Sequence, residues 1–322
     1  MSRTKMSLLF VLLVMSITLL SGKMIYAQPP GYPSKPINLI IPFSAGGGSD
    51  ILGRLIVSLD SEYFGVNMVP VIKPGASGSI ATDYVYHSKP DGYTLLLGAP
   101  HMITILPQMK KVNYDPLKLV PVAQINVANS VMMSPKNRPW SNWKEFAEHA
   151  KKNPGKLSYG SAGAFGISHV RTAAIVKRAG LDMVHVPYAG GNEMTQAAIR
   201  GEIDLAISSP SHALGAIQNG DCKPMATLFH KMKALPGIPT LKDLNLHVNL
   251  VLWRGILAPP GTPDEIVNWL EGQFAKLVKN KSFVRMMGKL GEDIAYAPRK
   301  EFADRIKLEF DEAREIIQEV KK

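Results

Sequence analysis

Residues 37–59 constrain the fold more than any other part of this chain. They read as a buried apolar strand over 37–42, a glycine-rich turn over 44–50, and a helix over 51–59. In that helix Ile51, Leu52, Leu55, Ile56 and Leu59 share one face. A strand that runs through a tight turn straight into a helix is the repeating unit of α/β folds with largely parallel strands. The same alternation continues to the C-terminus. Further strands are predicted at 68–72, 94–97, 121–133, 157–159, 183–186, 203–208, 224–228 and 251–257. Further helices are predicted at 141–152, 168–179, 192–199, 263–279 and 299–320, with Thr262 as the cap before Pro263. No internal repeat or low-complexity linker divides the sequence, so two lobes would have to be joined by strands crossing between them. The long run 121–133 is one candidate crossing.

The turn Pro42-Phe43-Ser44-Ala45-Gly46-Gly47-Gly48-Ser49-Asp50 is also the sharpest chemical feature. Glycines let backbone approach a ligand closely, and a helix start presents unpaired N–H groups with partial positive charge. Such a junction holds a carboxylate or phosphate without any cationic side chain. Alternatively it is a plain connection with Ser49 or Asp50 as helix cap. The turn lacks a P-loop lysine and does not match G-x-G-x-x-G, which argues against nucleotide. A second junction, from Tyr159 through Ser161, Gly163, Ala164 and Phe165 to His169, again follows a strand and opens a helix. Two such junctions could aim two helix N-termini at one ligand. A third, Pro187-Tyr188-Ala189-Gly190-Gly191-Asn192, reads as an ordinary turn with Asn192 as cap.

The N-terminus carries Arg3 and Lys5, an apolar run over 7–20, and small or polar residues up to Ala27. This is the layout of a secretion signal, with cleavage expected after Ala27 and an uncleaved anchor as the alternative. Cys222 is the only cysteine, so no internal disulfide forms and an exported chain of this kind belongs in a bacterial periplasm. The formal charge of +11 becomes +8 once Arg3, Lys5 and Lys23 are removed. Positive charge can speed the capture of anions. The basic residues are scattered and not interleaved with aromatics, so nucleic acid is not the expected partner. The eight histidines show no metal-ligand spacing, no cofactor motif occurs, and no G-x-S-x-G elbow is present. The enzyme reading left by the residues is a hydrolase that pairs Ser161 with His169.

Taken in order, these segments resemble the substrate-binding proteins of tripartite tricarboxylate transporters, the Bug family. The resemblance runs from about Tyr32 to the C-terminal helix. It is carried by the 42–50 turn, Pro74-Gly75-Ala76-Ser77-Gly78, Pro90-Asp91-Gly92-Tyr93-Thr94, Tyr159-Gly160-Ser161, Gly201-Glu202-Ile203-Asp204 and Ala258-Pro259-Pro260-Gly261-Thr262-Pro263. It implies a type II periplasmic binding fold: two α/β lobes, 32–130 plus 235–322 and 131–234, with a ligand cleft between them. A small carboxylate is then expected on Phe43, Ala45, Gly46, Gly47, Ser49 and Asp50 of the first turn and Ser161, Gly163 and Ala164 of the second. Tyr188, Asp204 and Ser208 would line the rest, and Phe165, where relatives often carry a smaller residue, would either add an apolar wall to the ligand site or pack under the loop. The resemblance further implies a monomeric, non-catalytic receptor without cofactor or metal, presenting its ligand to membrane permease subunits. A receptor serving a sensor protein is the alternative. Arg254 is a candidate for a distal acidic group or for an ion pair.

Overall fold

The computed structural model describes residues 27–321 except Phe165, His247 and Asn249. The expected signal over 1–27 and the expectation for Phe165 therefore fall outside the described residues, Ala27 apart. Six strands form one mixed sheet in the order β11-β4-β10-β3-β1-β2. These are β1 (Ile37–Ile41), β2 (Met68–Ile72), β3 (Thr94–Gly98), β4 (Val120–Ala128), β10 (Leu252–Ala258) and β11 (Asp293–Pro298). β1 pairs parallel with β2 and β3, while β10 pairs antiparallel with β3 and β4. Helix α1 (Gly48–Val57) covers one face, burying Leu52 and Ile56 in a cluster with Leu39, Leu97 and Phe274. Trp253, Leu257 and Phe302 fill the other face. Near-continuous apolar strands such as β1 are what a sheet covered on both faces requires.

The predicted strand at 121–133 is in fact two strands. β4 ends at Ala128 and β5 (Val131–Pro135) begins after Asn129 and Ser130, in a different sheet. Asn129 fixes the crossing: its Oδ1 accepts Ser130 N and Phe229 N, and its Nδ2 donates to the His230 carbonyl. β5 pairs antiparallel with β8 (Ala206–Ser208) and β9 (Cys222–Thr227). β6 (Leu157–Ser161) pairs parallel with β7 (Met183–Pro187), and a bridge from Tyr159 to Leu205 ties it towards β8. Helices α5 (Trp143–Lys152), α6 (Ile167–Arg178), α7 (Gly191–Arg200) and α8 (Pro210–Gln218) cover this second group.

The C-terminal helix α11 (Arg299–Lys321) packs on both groups. Its Phe302 and Ile306 join the Trp253 cluster, whereas Ala313, Ile316 and Ile317 join Val170 and Ala174 of α6. Arg178 grips Glu319 through two hydrogen bonds at the far end. Local detail departs from expectation at α9 (Asp264–Leu277): Pro263 occupies the cap position and the Thr262 hydroxyl donates to the Pro259 carbonyl. Among the described residues no helix is long and apolar enough to cross a membrane.

Candidate functional site

Where the two strand groups face one another lies a cavity of about 130 Å³. A single water needs roughly 10–15 Å³, so there is room for a small organic molecule. The cavity gathers the starts of three helices: Gly47, Gly48 and Ser49 of α1, Ile167 and Ser168 of α6, and Gly190, Gly191 and Asn192 of α7. Ser208 and Ser209, which lead into α8, complete the ring. The cap residues Gly47, Gly166 and Gly190 offer no side-chain hydrogen bond to the helices they begin. First-turn N–H groups have no partner within their own helix, so each start presents partial positive charge to the cavity. The third junction, expected to be an ordinary turn with Asn192 as cap, is therefore part of the same arrangement.

Asp50 builds the first turn instead of lining the cavity. It is buried, accepts Gly46 N at 2.9 Å through Oδ2, and pairs with Arg54 Nε at 2.9 Å through Oδ1. Gly46 needs its positive φ of 79° to close the loop. On the second turn the Ser168 hydroxyl accepts Ala162 N at 2.9 Å. The two turns also touch each other's lobes: Ser77 Oγ donates to the Ala164 carbonyl at 3.1 Å, and His212 Nε2 donates to the Gly46 carbonyl at 3.4 Å. His230 pairs with Asp293 at 2.8 Å further out.

Of the residues expected at a ligand, Phe43, Ala45, Gly47, Ser49 and Ser208 line this cavity. Tyr188 and Gly163 line an adjoining depression against Pro74, Ser77 and Gly78. Gly46 and Ala164 contribute to the interlobe hydrogen bonds just given. Ser161 is fully buried and lines neither space. Its hydroxyl donates to the Gly163 carbonyl at 3.0 Å and lies 2.7 Å from His185 Nε2. With the hydroxyl proton committed to Gly163, His185 is the donor of that second bond, an arrangement that does not activate the serine. His169, the expected base, stacks on His185 with ring centroids 3.7 Å apart. Asp204 is also elsewhere. Its carboxylate pairs with Arg138 at 2.8 Å and accepts Ser158 N at 2.8 Å, beside the start of β6. Cys222 is buried, and that burial pushes its thiol up to about 11.

Among the lining groups that sequence reasoning missed are Arg171 and His101, and Arg254 was left open. Arg254 is buried beside a β-bulge between β10 and β4, and it pairs with Glu292 at 3.1 Å, each side chain 5% exposed. A bulge re-aims side chains, here placing a cation under the first turn. Gly48 makes room for it, since a Cβ there would run into Arg254 Nη2. Arg171, at the fifth position of α6, stands on a face of Val170, Ala174 and Ile175, where a cation is conspicuous even in sequence.

His101 opens a π-helical turn, His101–Ile105, and its ring lies 5.1 Å from Phe43. Burial first, then the charges of Arg171 and Arg254, lower its pKa to about 3. It is therefore a neutral wall at physiological pH. Between 6.5 and about 3 the unfolded chain takes a proton that the folded chain refuses, so stability should fall as pH drops below 6.5. At about pH 5 the loss from this group is about 2 kcal/mol. Urea unfolding at about pH 7 and about pH 5 should show His101→Gln losing less than wild type by that amount. Equal losses would mean the ring takes a proton in the folded protein.

Among the described residues no group of three His, Cys, Asp or Glu side chains is placed to hold a metal. A family model described as "Tripartite tricarboxylate transporter family receptor" matches residues 58–321. The UPF0065 protein in the gbd 5'region of Cupriavidus necator is 31% identical over 280 residues, covering 86% of this chain and 85% of its own. Among solved structures, Rpa4515 of R. palustris with adipate is 25% identical with TM-score 0.84, covering 90% of this chain and 98% of its own. The periplasmic binding protein BugD is 26% identical with TM-score 0.82, again over 90% and 98%.

Proposed function

This chain belongs to the tripartite tricarboxylate transporter receptor family, the Bug family of periplasmic solute-binding proteins, and from that premise we propose that it captures a small carboxylate in the cavity between its lobes. The observation that carries the reading is the convergence of three helix starts with no side-chain caps on one cavity. A carboxylate there accepts backbone N–H bonds in a partly dehydrated space, where such bonds are strong. The adipate in the R. palustris relative supports the same ligand class. Phe43, Ala45, Gly47, Ser49 and Ser208 contact the ligand directly, and Ser168, Gly190, Gly191 and Asn192 join them. Gly46, Asp50, Ser161, Gly163 and Ala164 act by shaping the turns. Tyr188 stands in the adjoining depression.

The lobes comprise 32–130 plus 235–322 and 131–234, and ligand closes them by bridging both sides. Closure needs contacts that are better in the closed state, and a ligand held between helix starts of different lobes provides them. The mature chain is exported by the leader over 1–27, and the closed form is handed to membrane permease subunits without chemical change. The test is thermal denaturation of refolded, ligand-free protein against unbranched dicarboxylates, tricarboxylates, aromatic acids and their uncharged amides. An acid at ~100 times its Kd should add about 2.7 kcal/mol and raise Tm, while its amide should not. A folded protein indifferent to the whole acid panel would overturn the proposal.

A further inference from the structure

One cation at this cavity meets no carboxylate in an ion pair among the described residues. It is Arg171, which is only 2% exposed. Its Nη1 donates to the Leu250 carbonyl at 3.1 Å and its Nη2 to the Ser130 hydroxyl at 3.2 Å. Both acceptors are uncharged, and Nε has no hydrogen-bond partner. Burying a charge in this way is costly unless an opposite charge joins it. The carboxyl whose field reaches it, Glu309, accepts a hydrogen bond from Trp253 Nε1 and is pushed by burial up to about 8, which disfavours its charged form. Burial lowers the Arg171 guanidinium itself to about 9, which leaves it charged at the same pH. The other charges at the cavity do not change the sum there: Arg254 is paired with Glu292, and Glu193 is exposed to solvent.

We propose that Arg171 receives a second acidic group of the ligand while the helix starts hold the first, making Arg171 the residue that sets specificity for diacids over monoacids. The inference rests on the carboxylate reading above. Ser130, also at the cavity and in the crossing between β4 and β5, positions the guanidinium through its hydroxyl. A ligand spanning from the α1 start to Arg171 on α6 touches both lobes at once, so the second acidic group also contributes to closure.

The test uses the mature, ligand-free protein and the straight-chain series succinate through suberate, each beside its monoamide, by calorimetric titration. The best diacid should bind at least about tenfold more tightly than its monoamide, because a buried charge-assisted hydrogen bond is lost. In Arg171→Gln the two should converge to within about threefold, the ratio of the two affinities being the readout. Diacid and monoamide binding equally to wild type would overturn the inference and leave the carboxylate reading intact. Discrimination that survives in folded Arg171→Gln would also overturn it. If neither binds, both fail. Should Arg171→Gln not fold, equal binding of diacid and monoamide to wild type would still overturn the inference.

Discussion

Replacing Glu292 with leucine should destabilise the protein by about 3–5 kcal/mol, the cost of leaving a buried partner charge uncompensated. Arg254 and Glu292 have side chains 5% exposed and meet at 3.1 Å, and Asn126 Nδ2 adds a second donor to the same Glu292 oxygen at 2.9 Å. Arg254→Met should cost a similar amount for the converse reason. The double variant should recover most of the loss, since an apolar pair of similar volume avoids desolvating either charge. A double-mutant cycle in urea reads the coupling directly. Because Arg254 lies beneath Gly48, Glu292→Leu should also weaken acid binding by freeing the guanidinium to disturb the first turn. Single variants within about 1 kcal/mol of wild type would show the pair to be hydrated and unimportant to stability.

Trp253→Ala should be comparably severe, at about 3–5 kcal/mol. The ring is fully buried in β10, meets Phe302 edge-on at 5.0 Å, and donates through Nε1 to Glu309. It stands where the front half of α11 rests on the six-stranded sheet, with little chance for collapse into the space. Gly255 next to it already admits the Phe302 ring so closely that a Cβ would collide. Trp253→Phe should cost less, because volume is largely kept, but it leaves Glu309 without its donor. Urea unfolding of both variants, with Glu309→Gln in the phenylalanine background, separates volume from the lost hydrogen bond. A loss below about 1 kcal/mol for the alanine variant would mean the helix slides in to fill the gap.

Strand–turn–helix junctions were legible in sequence because their signals are local. Periodicity, glycine and the switch from strand to helix sit within a few residues of one another at 37–59 and 157–179. What depends on distant pairing was not. Asp204 looks like a pocket carboxylate until Arg138, far away in sequence, is found against it at 2.8 Å. The third junction at 187–192 is a common turn by composition, and only the packing of α7 beside α8 aims it at the cavity. The run 121–133 carries Gln124 and Asn126 as well as Asn129 and Ser130, so the polar pair at the change of sheet does not stand out from its surroundings in sequence. Arg171 was the readable omission: a lone cation on an apolar helix face, one turn after a ligand-type junction.

The most direct test of the account is a crystal structure of the mature protein with the acid that stabilises it most. A carboxylate should lie in the cavity with its oxygens about 2.7–3.2 Å from backbone nitrogens at the starts of α1 and α6. An acid ordered outside the cavity, or one inside it with no backbone N–H contact, would contradict the account.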